Sequence, residues 1–307
     1  MAAPYHRKGG VAPLRAVTPG ASMWTILAIN SVTFGGLLFL LSAGFSLIFG
    51  LMRVPNLTHG SMFMLGGYIG STAIVAWHLP FWLAALLAAA AVAVFGGVVE
   101  RLLLRRLAGS VLAQVLVTLG IAFIVSDFCL MVWGGDPISI DTPSALSGGT
   151  RALGVYFPTY RIAIILIAVV IAALLWALLE RTRLGAMIRA GVDDPEMARV
   201  VGIRVSRLFT VVFCLGAALA GFGGFMGAPI LSVYPGLDFA MLPLALVVVI
   251  LGGTGSLIGS LVGSIVIGFI YNFGLVLLPQ LAYFILFLPM VVVLVLRPQG
   301  LFGRAAP

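Results

Sequence analysis

Apolar stretches run through almost the whole of this chain, at roughly 24–50, 58–77, 80–99, 109–133, 161–179, 208–230, 239–252, 256–278 and 281–296, and the charges fall between them. Few folds accept such a pattern. In hydrocarbon, each backbone N–H and C=O must be satisfied inside the protein, so a spanning segment is a helix or a strand of a closed barrel. Runs near ~20 residues have the length of helices, and barrel strands are about half as long. Only 8% of residues are charged, against about 25% in a soluble domain. The reading is an all-α, polytopic integral membrane protein with about 8–9 transmembrane or half-membrane helices.

The net charge of +8 comes from basic residues at the ends of apolar runs, where they set orientation rather than bind nucleic acid. Arg101, Arg105 and Arg106 make the third connection cytoplasmic, and the six arginines of 181–207 do the same there. The loop 134–160, with two acids and one Arg, faces outward, and Arg297 and Arg304 put the C-terminus inside. Nine crossings then require an N-terminus outside. Arg7, Lys8 and Arg15 favour the opposite, which would make one segment re-entrant. The internal loops carry more weight. Residues 1–22 read as a Pro/Gly-rich, basic, disordered tail, and residues 23–304 as one membrane domain. Met23–Gly50 is too long for a signal-peptide core and has no A-x-A site after it, so it is an uncleaved first span. Cys129 and Cys214 lie inside apolar runs and read as packing residues.

Two polar breaks interrupt the apolar pattern. In residues 52–63, Pro55 disfavours helix and removes a donor, and Asn56, Thr58, His59 and Ser61 offer groups to the freed backbone. Asn56 reads as a cap for the next helix; for His59, a satisfied helix-end histidine and a gate or substrate contact stand level. In residues 251–264, Gly255, Gly259 and Gly263 form a GxxxGxxxG ridge suited to close helix approach. Gly66/Gly70 and Gly223/Gly227 repeat that spacing, and Gly252 and Gly253 read as packing positions. Each half thus holds a long helix, a Gly/polar break and a small-residue helix, which suggests an inverted repeat. Trp77, Trp82 and Trp133 read as interface anchors.

Nine of the 26 charged residues lie between Arg181 and Arg207. There Asp194 is a good N-cap, Pro195 suits the first helical position, Glu196 complements the dipole, and Gly202 can end the helix left-handed. A short capped helix between spans is a handle for another protein. Its flanking arginines, Arg189, Arg199 and Arg204, could also meet anionic lipid headgroups.

Enzyme chemistry is missing from the sequence. No GxxxxGK[ST], HExxH or GxSxG pattern occurs, and three scattered histidines make no zinc cluster, so no metal or cofactor is expected in this chain. Glu100 and Glu180 adjoin inner ends and Asp238 an outer end, leaving Asp127 as the acid inside an apolar run. Asp127 itself reads as a solvated interfacial acid. That scarcity argues against an ion-coupled carrier.

Four stretches, in order, resemble the permease subunit of branched-chain amino acid ABC importers of the LivH type. They are GFSLIFGLMRVPNLTHGSMFMLGGYIG (44–70), ERLLLRRL (100–107) followed by VLVTLGIAFIVSD, TRLGAMIRAGVDDPEMARVVGI (182–203), and ALAGFGGFMGAP with VVVILGGTGSLIGSLVGSIVIG (218–268). The resemblance implies a bacterial inner-membrane protein with a second permease of similar fold, two cytoplasmic ATPase subunits and a periplasmic or lipid-anchored solute-binding protein. It implies that Arg189, Asp193, Asp194, Pro195, Glu196, Arg199 and Gly202 couple to the ATPase. Asn56, Thr58, His59, Ser61, Thr254 and Ser256 are the candidate pathway residues. Pro55 and Thr58 stand where relatives commonly carry an aliphatic and a small residue, so urea, short amides and other small polar solutes are the alternative cargo. A stand-alone secondary carrier is the rival class.

Overall fold

A computed structural model of the protein describes residues 21–52, 55–152, 155–297 and 299–303. Residues 1–20 of the basic tail, including Arg7, Lys8 and Arg15, and also Arg304, lie outside the described residues. In chain order, α1 (Ala21–Met52), α2 (Thr58–Val75), α3 (Phe81–Leu102) and α4 (Val111–Trp133) come first. A hairpin of β1 (Gly149–Ala152) and β2 (Val155–Pro158) then leads into α5 (Thr159–Arg181). Two short helices follow, α6 (Arg183–Asp193) and α7 (Pro195–Val200). The chain continues through α8 (Val205–Leu231), α9 (Leu237–Gly252), α10 (Leu257–Leu277) and α11 (Ala282–Leu296). Every apolar stretch of the sequence is a helix, and six of these are long and apolar enough to cross a membrane.

The helices differ in how much protein surrounds them. In α1, 89% of the most apolar window is buried and in α8 61%, against 17% in α5. Leu166, Val169, Val170 and Leu174 of α5 stay exposed, as a lipid-facing helix requires. The second helix is polar for a span (Thr58, His59, Ser61, Ser71), yet nearly all of it is buried. Enclosed by α8, α3, α9 and α4, it needs no apolar surface of its own.

Helix neighbours come in matched pairs. The first helix packs on α10 as α8 packs on α3, α2 lies beside α3 as α9 lies beside α10, and α2 beside α4 as α9 beside α11. Exchanging α1–α4 for α8–α11 leaves this pattern unchanged, with α1·α8 and α2·α9 at its centre. The halves are inverted. Leu51, at the end of α1, touches Gly191 of α6, and Arg105 donates to the Ser206 carbonyl at the start of α8 (2.8 Å). So α1 ends and α8 begins at the basic, cytoplasmic end. Near the start of α1, Asn30 accepts from Arg161 of α5, beside the hairpin. At the inner end, the N–H groups of Leu301 and Phe302 bond the carbonyls of Leu251 and Gly252 (2.9 and 3.0 Å), capping α9. An α1 that starts outside and runs inward fits this arrangement.

Glycine sets the closest approaches. A Cβ on Gly44 would strike the Gly216 backbone where α1 crosses α8, and one on Gly66 would strike Gly221 where α2 crosses α8. Gly70, Gly223 and Gly227 meet side chains instead. The expected ridge is shorter than its spacing implies. Gly255 sits in the turn before α10 with φ +76°, leaving Gly259 and Gly263 on the helix, where they face the Gly252 and Val248 carbonyls. Trp77 and Trp82 are exposed near helix ends. Trp133 is not a surface anchor: it donates to Thr72 Oγ1 (2.7 Å) and stacks on Tyr68.

Candidate functional site

Two polar regions stand out, one exposed and one enclosed. The exposed one is the α6–α7 connection. Thr182 caps α6 by accepting from the Gly185 N–H (3.2 Å). One face of α6 then packs inward, with Ile188 buried and Gly191 against Leu208 of α8. Sequence reasoning missed α6, although Leu184, Ile188 and Val192 recur every four residues behind a threonine cap. The next helix forms as its residues dictate. Asp194 Oδ1 accepts the N–H groups of Glu196 and Met197 (3.0 and 2.9 Å), Pro195 is the first helical residue, and Gly202 closes the turn at φ +88°. Arg189 pairs with Glu180 at 3.4 Å and also donates to the Leu179 carbonyl. Glu196, Arg199 and Arg204 point into solvent beside exposed Met197, Val200 and Val201, while Ala198 is buried beneath them. Asp193 ends α6, and Arg189, Asp194, Glu196, Arg199 and Gly202 all belong to this one platform. The platform touches both α1 and α8, the pair that crosses at the centre of the bundle.

The enclosed region lies where α2 and α9 begin. Asn56 Oδ1 accepts the Thr58 N–H (3.2 Å) and the Thr58 hydroxyl, so Asn56 does cap α2. His59 Nε2 bonds the Leu41 carbonyl (2.9 Å), which can only accept, so Nε2 carries the hydrogen. Ser61 donates to Asp238 Oδ2 (2.9 Å) across the two halves, and Gly60 lies tight against the Asp238 backbone. Among the described residues, Asn56 Nδ2, His59 Nδ1, Tyr68 Oη, Ser71 Oγ and Asp238 Oδ1 are buried with no hydrogen-bond partner. Asn56 also borders a cavity of about 10 Å³, the scale of a single water.

Thr254 and Ser256 lie elsewhere, in the turn between α9 and α10, where Thr254 is exposed and Ser256 caps α10 through the Gly259 N–H (3.0 Å). Both breaks nevertheless lean on α1. His59 meets it at Leu41 and the Gly255 N–H meets it at Ser46 Oγ (3.1 Å), five residues apart and so about 8 Å along the helix.

Asp127 is exposed on α4, as a solvated acid would be, whereas Asp238, read as adjoining an outer end, is 2% exposed and inside the bundle. The chain between α8 and α9 turns back inward after Val233, which packs on Gly67, and this carries the start of α9 down to Gly60. Pro235 and Gly236 (φ +99°) mark a turn there, but nothing local gives its depth. Glu100 is also buried, but it is answered by Arg105 (3.3 Å) and by Thr210 Oγ1 (2.7 Å) at the inner end.

Comparison with known proteins accounts for this architecture. The chain is 27% identical over 290 residues to the branched-chain amino acid transport permease BraD of Pseudomonas aeruginosa, covering 90% of this chain and 94% of that one. It is 24% identical over the same shares to the permease LivH of Escherichia coli, a high-affinity branched-chain amino acid system. A shorter stretch of 151 residues is 30% identical to the ribose import permease RbsC of Escherichia coli, 47% of this chain and 45% of that one. No solved structure matches. Residues 27–294 match the family described as "Branched-chain amino acid transport system / permease component", and with nearly the whole bundle inside that match, the chain belongs to this family of multi-pass membrane permeases.

Proposed function

We propose that this permease carries branched-chain amino acids inward as one subunit of an ATP-driven importer. It works with a second permease of similar fold, two cytoplasmic ATPase subunits and a binding protein that delivers the solute. The platform α6–α7 is the single observation that carries the coupling half of this reading. Its caps are complete, its outer face presents Met197, Val200 and Val201 among arginines, and its base rests on α1 and α8. A push on α7 therefore has a route through α6 and α8 to the central crossing. The cargo half rests on the relatives, which are named for branched-chain amino acids over nearly their full length. A zwitterion loses its hydration on entry, which is costly unless polar groups replace it. Asn56, Thr58, His59 and Ser61 at the start of α2, with Thr254 and Ser256 in the turn before α10, are the candidate groups for that exchange.

The test uses the assembled importer in vesicles. Replacing Arg189, Asp194 and Glu196 together by alanine should leave ATP hydrolysis running while leucine uptake falls at least tenfold. Undiminished uptake would remove the coupling role. Offering leucine and urea in parallel separates the proposed cargo from the small amides.

A further inference from the structure

We propose that Asp238, Ser61 and Tyr68 form a binding site for a compact monovalent cation, either the α-ammonium group of the transported amino acid or a free alkali ion. The ammonium source rests on the function proposed above; the alkali source does not.

Three helices build the site. Asp238 belongs to the first turn of α9, and its Oδ2 accepts from Ser61 of α2. Tyr68 is seven residues beyond Ser61 and so on the same face of α2, where helical side chains lean toward the start of their helix. Its ring stacks on Trp133 of α4 (4.9 Å between centroids), and Cys129 of α4 lies one turn earlier. Alongside, the rings of Phe123 of α4 and Phe239 of α9 meet with centroids 5.4 Å apart.

What these groups leave unanswered defines the ligand. Asp238 Oδ1 and Tyr68 Oη have no partner, and both are oxygens able to accept. The two ion pairs among the described residues are Arg105–Glu100 and Arg189–Glu180, so no side-chain cation answers Asp238. A carboxylate oxygen, a hydroxyl and a stacked aromatic pair together suit an ammonium or a bare alkali ion and repel an anion. The position adds a consequence. Ser61 and Asp238 sit in opposite halves of the inverted repeat, so relative movement of the halves opens or closes the site around its ligand.

Leucine uptake by the assembled importer in vesicles tests this, comparing wild type with Asp238→Asn and Tyr68→Phe. Asparagine keeps the shape and the Ser61 bond but not the charge. Phenylalanine removes a hydroxyl that has no partner, so folding loses nothing. The expected result is a KM raised about tenfold or more in Asp238→Asn and about threefold in Tyr68→Phe, with ATP hydrolysis continuing. Repeating the wild-type assay with N-methylglucamine in place of sodium and potassium separates the sources: unchanged uptake assigns the ammonium group, and lost uptake assigns the alkali ion. Wild-type KM in both variants overturns the site. Should Asp238→Asn fail to assemble, an unchanged KM in Tyr68→Phe overturns it alone. If wild type imports no leucine, the proposed cargo has failed, and the same variants are read with the solute that is imported, where indifference to both the substitutions and the salt overturns the site.

Discussion

The α6–α7 connection and the α2–α9 junction are both polar interruptions of an apolar chain, but they satisfy their polar groups in different ways. In the connection, Thr182 and Asp194 answer the first amides of their helices, and Gly202 closes the end. All of this lies within a few residues of sequence and stands in water. At the junction, the partners come from far away: Ser61 reaches Asp238 across 177 positions, and His59 reaches Leu41. Several atoms there are left over. The exposed unit thus closes its own hydrogen bonds locally, whereas the enclosed unit keeps polar atoms without partners, which is costly unless a further group answers them.

The largest expected effect comes from crowding the junction. A Cβ on Gly60 would lie 2.6 Å from the Asp238 carbonyl and 2.9 Å from Leu242, and neither is the loose end of a flexible chain. Gly60→Ala should therefore destabilise the protein by about 3 kcal/mol, the upper range of overpacking. Gly120 on α4 meets nothing within 4 Å, and Gly120→Ala should be neutral or slightly stabilising. Thermal unfolding in detergent compares the two. Equal midpoints would mean that α2 and α9 are not held together as tightly as described.

Next is Ser61→Ala, which takes from Asp238 its hydrogen-bond donor while adding no bulk. The loss should be about 2 kcal/mol, the range for a bond to a charged group. A midpoint close to wild type would show that the halves do not depend on this link.

The contrast also explains what could be read in advance. The caps of α7 were legible because Asp194, Pro195, Glu196 and Gly202 act on their own neighbours, and the apolar helices because hydrocarbon demands apolar length. The α6 helix left a readable trace that was missed. The depth of Asp238 left none, because it depends on the inward return after Val233 and on how closely Gly60 lets α9 approach. The spacing of Gly255 with Gly259 and Gly263 was misleading for a related reason. Periodicity shows which residues would share a helix face, but Gly255 takes a left-handed turn before the helix begins. The hairpin of β1 and β2 was equally silent, being four-residue strands in a loop read only for its charge.

Two substitutions probe the connection at about 1 kcal/mol each. Asp194→Ala removes the acceptor of two amides, a typical N-cap loss. Gly202→Ala places a Cβ in a left-handed residue with open space around it, so the cost is backbone strain alone. Because α7 is a short surface helix, both should appear as faster amide hydrogen exchange confined to 196–201, with little change in the unfolding midpoint. A fall in the midpoint as large as that of Ser61→Ala would mean that the platform is part of the core and the contrast drawn above is wrong.

The smallest effect tests whether charge pairing contributes to the platform at all. Glu180 and Arg189 approach to 3.4 Å, but their side chains are 51% and 34% exposed, and an ion pair so open to water contributes a few tenths of a kcal/mol. Arg189 keeps its bond to the Leu179 carbonyl whatever happens to Glu180. Glu180→Gln should thus leave α6 exchange rates and ATP-driven uptake nearly unchanged, and any small difference should vanish in high salt, where exposed charges are screened. A loss above about 1 kcal/mol that persisted in salt would lie outside the range of an exposed pair. It would make the pair, rather than the caps at Thr182 and Asp194, the element that holds the platform rigid.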